Sequence, residues 1–97
     1  LETRGLFALT VNGDSMVVAH IADGDVVLME PVIDPQGLRD GTVVSALVAG
    51  SGTTLKHFHR QGPTVVLEAA NSAYSPIELP ADQVQVQGKL VAVWRQV

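Results

Sequence analysis

Ser15 and Lys56 are the residues of this 97-residue chain whose types and settings suit covalent chemistry. A serine hydroxyl holds its proton at neutral pH. A nucleophilic serine therefore needs a base, a turn that exposes its oxygen, and donors for the oxyanion it creates. Asn12-Gly13-Asp14-Ser15-Met16 ends an apolar run, and Gly13 permits a backbone turn that other residues resist. The backbone N–H groups of Asp14 and Ser15 lie where a strand gives way to a turn, a place where such donors are often free for an oxyanion. A serine after glycine serves equally as a turn former or helix cap. Lysine is a base only when neutral, so burial must pull it down from a reference pKa of about 10.4. Lys56 lies in Thr53-Thr54-Leu55-Lys56-His57-Phe58. Alternation puts it on one face with Thr54 and Phe58, and Leu55 and His57 on the other. In that setting a lysine is either desolvated or snorkels to water.

Other candidates are weaker. His57 and His59 share a strand face, but a metal site needs more ligands nearby, and the chain has no cysteine. No metal or cofactor is expected, and glycine-rich phosphate motifs are not found. A Ser15, His57, Asp25 triad is conceivable, yet His57 should point away from Lys56, so only one of the two can face Ser15. His20 and Asp14 read as solvated turn residues. Trp94 and Val91 to Val93 read as core or interface.

These residues must be positioned by β-structure. Apolar residues make up 46% of the chain and aromatic ones only 4%, so the core must be aliphatic. Short β-type runs alternate with turn signals. Leu6 to Val11 is followed by Asn12-Gly13-Asp14, and Ser15 to Ala22 is the one plausible helical turn. Val26 to Met29 is opened by Asp23-Gly24-Asp25 and closed by Pro31. Thr42 to Val48 runs into a hairpin tip at Ala49-Gly50-Ser51-Gly52, and Thr53 to Phe58 returns. Gln61-Gly62-Pro63 turns into Thr64 to Ala69. Asn71 to Pro76 and Pro80 to Asp82 read as loops around a short strand, Ile77 to Leu79. Gln83 to Gln87 alternates strictly, as a half-buried strand does. Gly88 marks a bulge before an apolar strand from Lys89 to Arg95. The expected fold is one all-β domain over residues 1–97, with coiled, partly closed antiparallel sheets.

In this order and framing the residues resemble the C-terminal self-cleavage domain of LexA-type repressors, with the related phage repressors and UmuD-type mutagenesis proteins. The resemblance runs from Val11-Asn12-Gly13-Asp14-Ser15-Met16, similar to the family's nucleophile motif, through Ile21-Ala22-Asp23-Gly24-Asp25-Val26-Val27 and Arg39-Asp40-Gly41-Thr42-Val43-Val44. It continues through Leu55-Lys56-His57-Phe58, Asn71-Ser72 and Pro76-Ile77 to the closing Val86-Gln87-Gly88-Lys89-Leu90-Val91-Ala92-Val93-Trp94-Arg95. It covers about residues 7 to 95. His57 departs from the pattern, because many relatives carry arginine after the lysine.

The resemblance implies a sheet fold of the LexA and signal peptidase type. It also implies a serine endopeptidase in which Lys56 takes the proton of Ser15 as that residue attacks a peptide bond of its own chain. The amides of Asp14 and Ser15 would hold the oxyanion. Further implications are homodimerisation through the last strand, a RecA-type filament as co-activator of cleavage, and DNA binding through a separate N-terminal domain. The family's usual Ala-Gly scissile bond does not precede Ser15, and Ala49-Gly50 is read as a hairpin turn. The chain begins at Leu1 and is read as the trailing part of a longer protein.

The formal charge of −4 disfavours nucleic-acid binding by this segment itself. No apolar run approaches the ~20 residues that cross a bilayer, and no secretory leader is visible, so a cytoplasmic, membrane-free setting is expected. Two other functions compete: a dimerisation module without activity, and a protease acting on other chains, as signal peptidases do.

Overall fold

The computed structural model describes residues 5–96. Seven strands form one antiparallel sheet: β1 (Phe7–Thr10), β2 (Val26–Pro31), β3 (Thr42–Val48), β4 (Gly52–Gln61), β5 (Thr64–Glu68), β6 (Ile77–Pro80) and β7 (Val84–Trp94). Their spatial order is β1-β2-β7-β3-β4-β5-β6, so β1 and β6 are the edges and the sheet does not close. The all-β, antiparallel expectation holds, and no α-helix occurs among the described residues. The strand β7 is inserted between β2 and β3, pairing with both. It joins the hairpin-built half, β3 to β6, to the half that carries Ser15.

Alternation divides the core into two clusters on opposite faces of the central strands. Val44, Ala46 and Val48 of β3 pack with Phe58, Val65, Leu67 and Val86. Val43 and Leu55 point the other way, onto Val27, Met29, Met16 and Ile21. Because both faces are covered, Val44, Ser45 and Ala46 are all fully buried in succession. Aliphatic β-branched residues suit such a two-sided strand, since a pleated surface accepts their stiff side chains without further loss of rotamer freedom.

Turn chemistry follows the sequence closely. Gly50 and Gly52 have positive φ at the β3–β4 tip, where Ser51 N–H donates to Val48 O. Gly62 (φ +61°) opens the two-residue turn between Gln61 and Thr64, where a two-residue hairpin needs a left-handed residue. Several boundaries shift. β2 continues through Pro31, whose missing N–H is tolerated at a strand end. β4 runs three residues past Phe58, because His59, Arg60 and Gln61 pair with Val66, Val65 and Thr64. Gln83 belongs to a 3-10 turn (Ala81–Gln83) instead of the strand.

The last two apolar runs form one strand with two irregularities. Against β3 the register skips Gln87, and against β2 it skips Val91. Gly88 itself stays paired, with Ser45 and Pro31. Its lack of a side chain has another cause: an added Cβ would lie 2.6 Å from the Phe7 ring. The register break expected at Gly88 therefore falls one residue earlier, and the glycine makes room for Phe7. Val91, Val93 and Trp94 are not core residues, with exposures of 37%, 39% and 56%.

Candidate active site

The helical turn expected over Ser15 to Ala22 shrinks to a single 3-10 turn, Val17–Ala19. His20 ends it in the left-handed region (φ 63°) and is exposed, as expected. Met16 and Ile21, either side of the turn, are buried beneath it and anchor the segment to the second core cluster. Ser15, one residue before Met16, is thereby held in the wall of a cleft of about 300 Å³. Leu9, Val11, Val27 and Leu55 give the cleft apolar walls, and Thr54 and Lys56 line it beside Ser15.

Lys56 reaches this cleft from the middle of β4. Its Nζ lies 3.1 Å from Ser15 Oγ, 2.7 Å from Thr54 Oγ1 and 3.2 Å from Leu55 O. Lysine is only 9% exposed, and among the described residues no carboxylate pairs with it. Burial lowers its pKa from the ordinary lysine value, since the charged form loses hydration without gaining a counter-charge. Three partners also match the amine's capacity. Nζ donates to Thr54 Oγ1, Leu55 O and Ser15 Oγ, and once the amine is neutral one of these N–H groups gives way to a lone pair able to accept the Ser15 hydroxyl. The strand reading placed Thr54 beside Lys56 but gave it no role. Alternation on one strand was the available signal, since i and i+2 side chains are neighbours.

The loop carrying Ser15 is clasped from three directions. Asp23 Oδ1 accepts from Gly13 N–H at 2.7 Å, and Gly24 N–H donates to Val11 O at 2.8 Å. The loop after β5 supplies Asn71, whose Nδ2 donates to Asp14 O at 2.9 Å, and Tyr74, whose hydroxyl donates to Asp14 Oδ1. That hydrogen bond raises the Tyr74 pKa. Beneath lies Asp25, 2% exposed, which takes a bidentate pair from Arg95 at 2.7 Å and a hydrogen bond from Ala22 N–H at 2.8 Å. The Arg95 hydrogen bond, then that of Ala22, lowers the Asp25 pKa from 3.8 to about 2. Arg95 also donates to His20 O at 3.2 Å, tying the end of β7 to the turn. The Asp-Gly-Asp string is thus more than a strand opening: each carboxylate ties down a different part of the segment around Ser15.

Asp14 is exposed, as expected of a turn residue, but its side chain and carbonyl are both engaged. Among the described residues, neither its N–H nor that of Ser15 has a hydrogen-bond acceptor. The serine-histidine-aspartate arrangement is not assembled. His57 Nδ1 sits 2.8 Å from Gly41 O, and Asp25 is occupied by Arg95. His59 lies between Asp40 and Glu68, and the Asp40 hydrogen bond raises its pKa. No group of three His, Asp or Glu side chains among the described residues is placed to hold a metal. Ala49-Gly50 lies at the β3–β4 tip, as read from the sequence. A second hollow, about 370 Å³, borders Pro35, Phe58 and Arg60 and contains neither Ser15 nor Lys56. No helix among the described residues is long and apolar enough to cross a membrane.

A family model described as Peptidase S24-like matches residues 1–91. The chain is 46% identical over 94 residues to a protein named LexA repressor from Koribacter versatilis, covering 97% of this chain and 43% of the relative. It is 47% identical over 90 residues to the LexA repressor of Paramagnetospirillum magneticum (93% of this chain, 37% of the relative). With that of Zymomonas mobilis it is 42% identical over 90 residues (93% and 40%). The chain spans less than half the length of each of these relatives.

Proposed function

The chain belongs to the peptidase S24-like family, and from that premise we propose that it is the self-cleaving domain of a LexA-type repressor. The observation that carries the reading is the 3.1 Å approach of Lys56 Nζ to Ser15 Oγ in a cleft where Lys56 is largely shielded from water. Neutral Lys56 takes the Ser15 proton as Oγ bonds to a peptide carbonyl carbon, and the carbonyl electrons move onto oxygen. The N–H groups of Asp14 and Ser15 stabilise that oxyanion. Collapse breaks the C–N bond, and the proton on Lys56 passes to the departing amine. Water then hydrolyses the ester, with Lys56 again as base, and returns Ser15 to its starting form. The pairing is a recognised variant of the nucleophile-base scheme.

The substrate is an extended segment of the same protein, docked in the cleft. An Ala-Gly bond upstream of Ser15, in a part of the protein other than these residues, is the bond that the LexA resemblance implies. Such a protein pairs with a second copy, for which exposed Val91, Val93 and Trp94 of β7 are the apolar surface. DNA binding belongs to another domain. A RecA-type filament would promote cleavage by binding the docked form more tightly than the open one. A cytoplasmic setting goes with this reading.

The test restores the upstream linker and follows cleavage with pH in wild type, Ser15→Ala and Lys56→Ala. The expected result is cleavage first order in protein, lost in both variants. The sign of the pH effect follows from Lys56. Because burial lowers its pKa, the active neutral form accumulates at lower pH than for a free lysine, and the rate climbs as pH rises through that value. Equal cleavage in wild type and Lys56→Ala would overturn the mechanism. Failure of all three proteins to cleave would favour a dimerisation module without activity.

A further inference from the structure

Asn71 lies 56 positions after Ser15, in a loop that has no part in the nucleophile-base pair, yet it is bonded to the peptide group that ends at Ser15. A trans peptide is planar, and its C=O and N–H point in opposite directions. The carbonyl of Asp14 and the N–H of Ser15 belong to one such plane. Whatever fixes Asp14 O therefore aims Ser15 N–H. Asn71 Nδ2 donates to Asp14 O at 2.9 Å, and Val17 N–H approaches the same oxygen at 3.3 Å. Rotating this peptide would cost both contacts.

The loop that presents Asn71 is itself held. Val18 N–H donates to Ala70 O at 2.8 Å, and Ala70 packs on the second core cluster. Asn71 Oδ1 accepts from Ala73 N–H at 2.9 Å, and Asn71 O accepts from Tyr74 N–H at 3.1 Å. Those contacts leave the Asn71 side chain one orientation, with its amide nitrogen toward Asp14. Tyr74 then holds the Asp14 side chain from the same loop. A donor on a peptide carbonyl also polarises the whole amide, which strengthens the N–H on the other side as a donor.

We propose that Asn71 is a positioning residue for oxyanion binding: by holding Asp14 O, it aims the Ser15 N–H at the oxygen of the peptide under attack. The proposal rests on the reading of Ser15 as nucleophile and adds to it a residue that does not touch the substrate. Tyr74 supports the same loop contact through the Asp14 side chain and so has a smaller role.

Asn71→Asp separates this role from loop support. The carboxylate still accepts from Ala73 N–H but offers Asp14 O no donor. In the linker-containing protein, the plateau rate of self-cleavage at alkaline pH should fall by roughly ten- to a hundredfold, below the loss typical of an oxyanion donor itself. The added carboxylate moves the pH midpoint set by Lys56 in no direction but upward, so the loss is read on the plateau above it. For an Ala-Gly peptide supplied to this chain, the loss should appear in kcat and leave KM unchanged, because docking does not use Ser15 N–H. Tyr74→Phe should lower the rate by only about two- to threefold. An Asn71→Asp protein that cleaves as fast as wild type overturns the proposal. So does one whose loss lies wholly in KM or in a shifted pH midpoint, since neither lowers the plateau. Absence of cleavage in wild type would remove the nucleophile reading and this proposal together.

Discussion

Lys56 and Ser15 meet at 3.1 Å, but the two sides of that contact are built in different ways. Lys56 stands within a ten-residue strand, β4, paired through most of its length with β3 and over its second half with β5. Its place is set by ladder register and by the packing of Phe58 two residues on. Ser15 stands outside the ladders, between Thr10 and Val26, and is placed by hydrogen bonds that Asp23 and Asn71 make to its neighbours. A strand position moves only if a whole register moves. A clasped loop can move when one side chain is lost. If the proposed mechanism holds, the Lys56 side should therefore fail through stability, and the Ser15 side through activity.

The largest expected effect tests the strand side. Phe58 is 3% exposed and packs in the first core cluster, so Phe58→Ala should cost about 3–5 kcal/mol in urea unfolding. Cleavage per folded molecule should change little. If that variant keeps full stability yet loses cleavage, the contrast between the two sides is wrong.

Asp23→Ala tests the loop side and should act the other way round. Removing one exposed hydrogen bond to Gly13 N–H should cost about 1 kcal/mol in the same unfolding measurement. Self-cleavage should fall by roughly tenfold or more, because small displacements of a nucleophile are amplified in rate. A loss of stability as large as that of Phe58→Ala, with cleavage intact, would make Asp23 an ordinary structural residue.

The smallest effect is confined to acid and concerns the floor beneath the loop. The folded-state pKa of Asp25 is lowered to about 2 from an ordinary 3.8. The ionised form is thus favoured by folding. Its contribution to stability is complete above the unfolded-state value and disappears as pH falls toward 2. The melting-temperature gap between wild type and Asp25→Asn should be constant at neutral pH and narrow between about pH 4 and pH 2. A gap that keeps its full size down to pH 2 would show that Asp25 is not stabilised as a carboxylate.

Much of the framework was legible in the residues. Glycine-marked tips at Gly50 and Gly62, and alternation read from Gln83 to Gln87, identify strands to within a residue because local sterics and period-two burial act over a few residues. β3 matches its expected span, Thr42–Val48. The Ser15 turn and Lys56 on its strand were also visible, as was the side shared by Lys56 and Thr54. The insertion of β7 between β2 and β3 was not, nor was the skip at Val91, because both depend on which distant strands pair. Asn71 reads as an ordinary loop residue, and its contact with Asp14 crosses 57 positions. Arg95 reads as the end of a strand, yet it closes on Asp25 across 70 positions.

By itself the sequence determined an aliphatic antiparallel protein with short turns, and put one serine on a turn and one lysine on a strand. Local chemistry suffices for that, since turn geometry and alternation are read within a few residues. Only the tertiary structure decided that the amine is shielded from water and touches that hydroxyl, and which loop secures the peptide beside it. Desolvation and hydrogen bonding of this kind come from groups far apart in the chain, so they exist only once the sheet has brought its halves together.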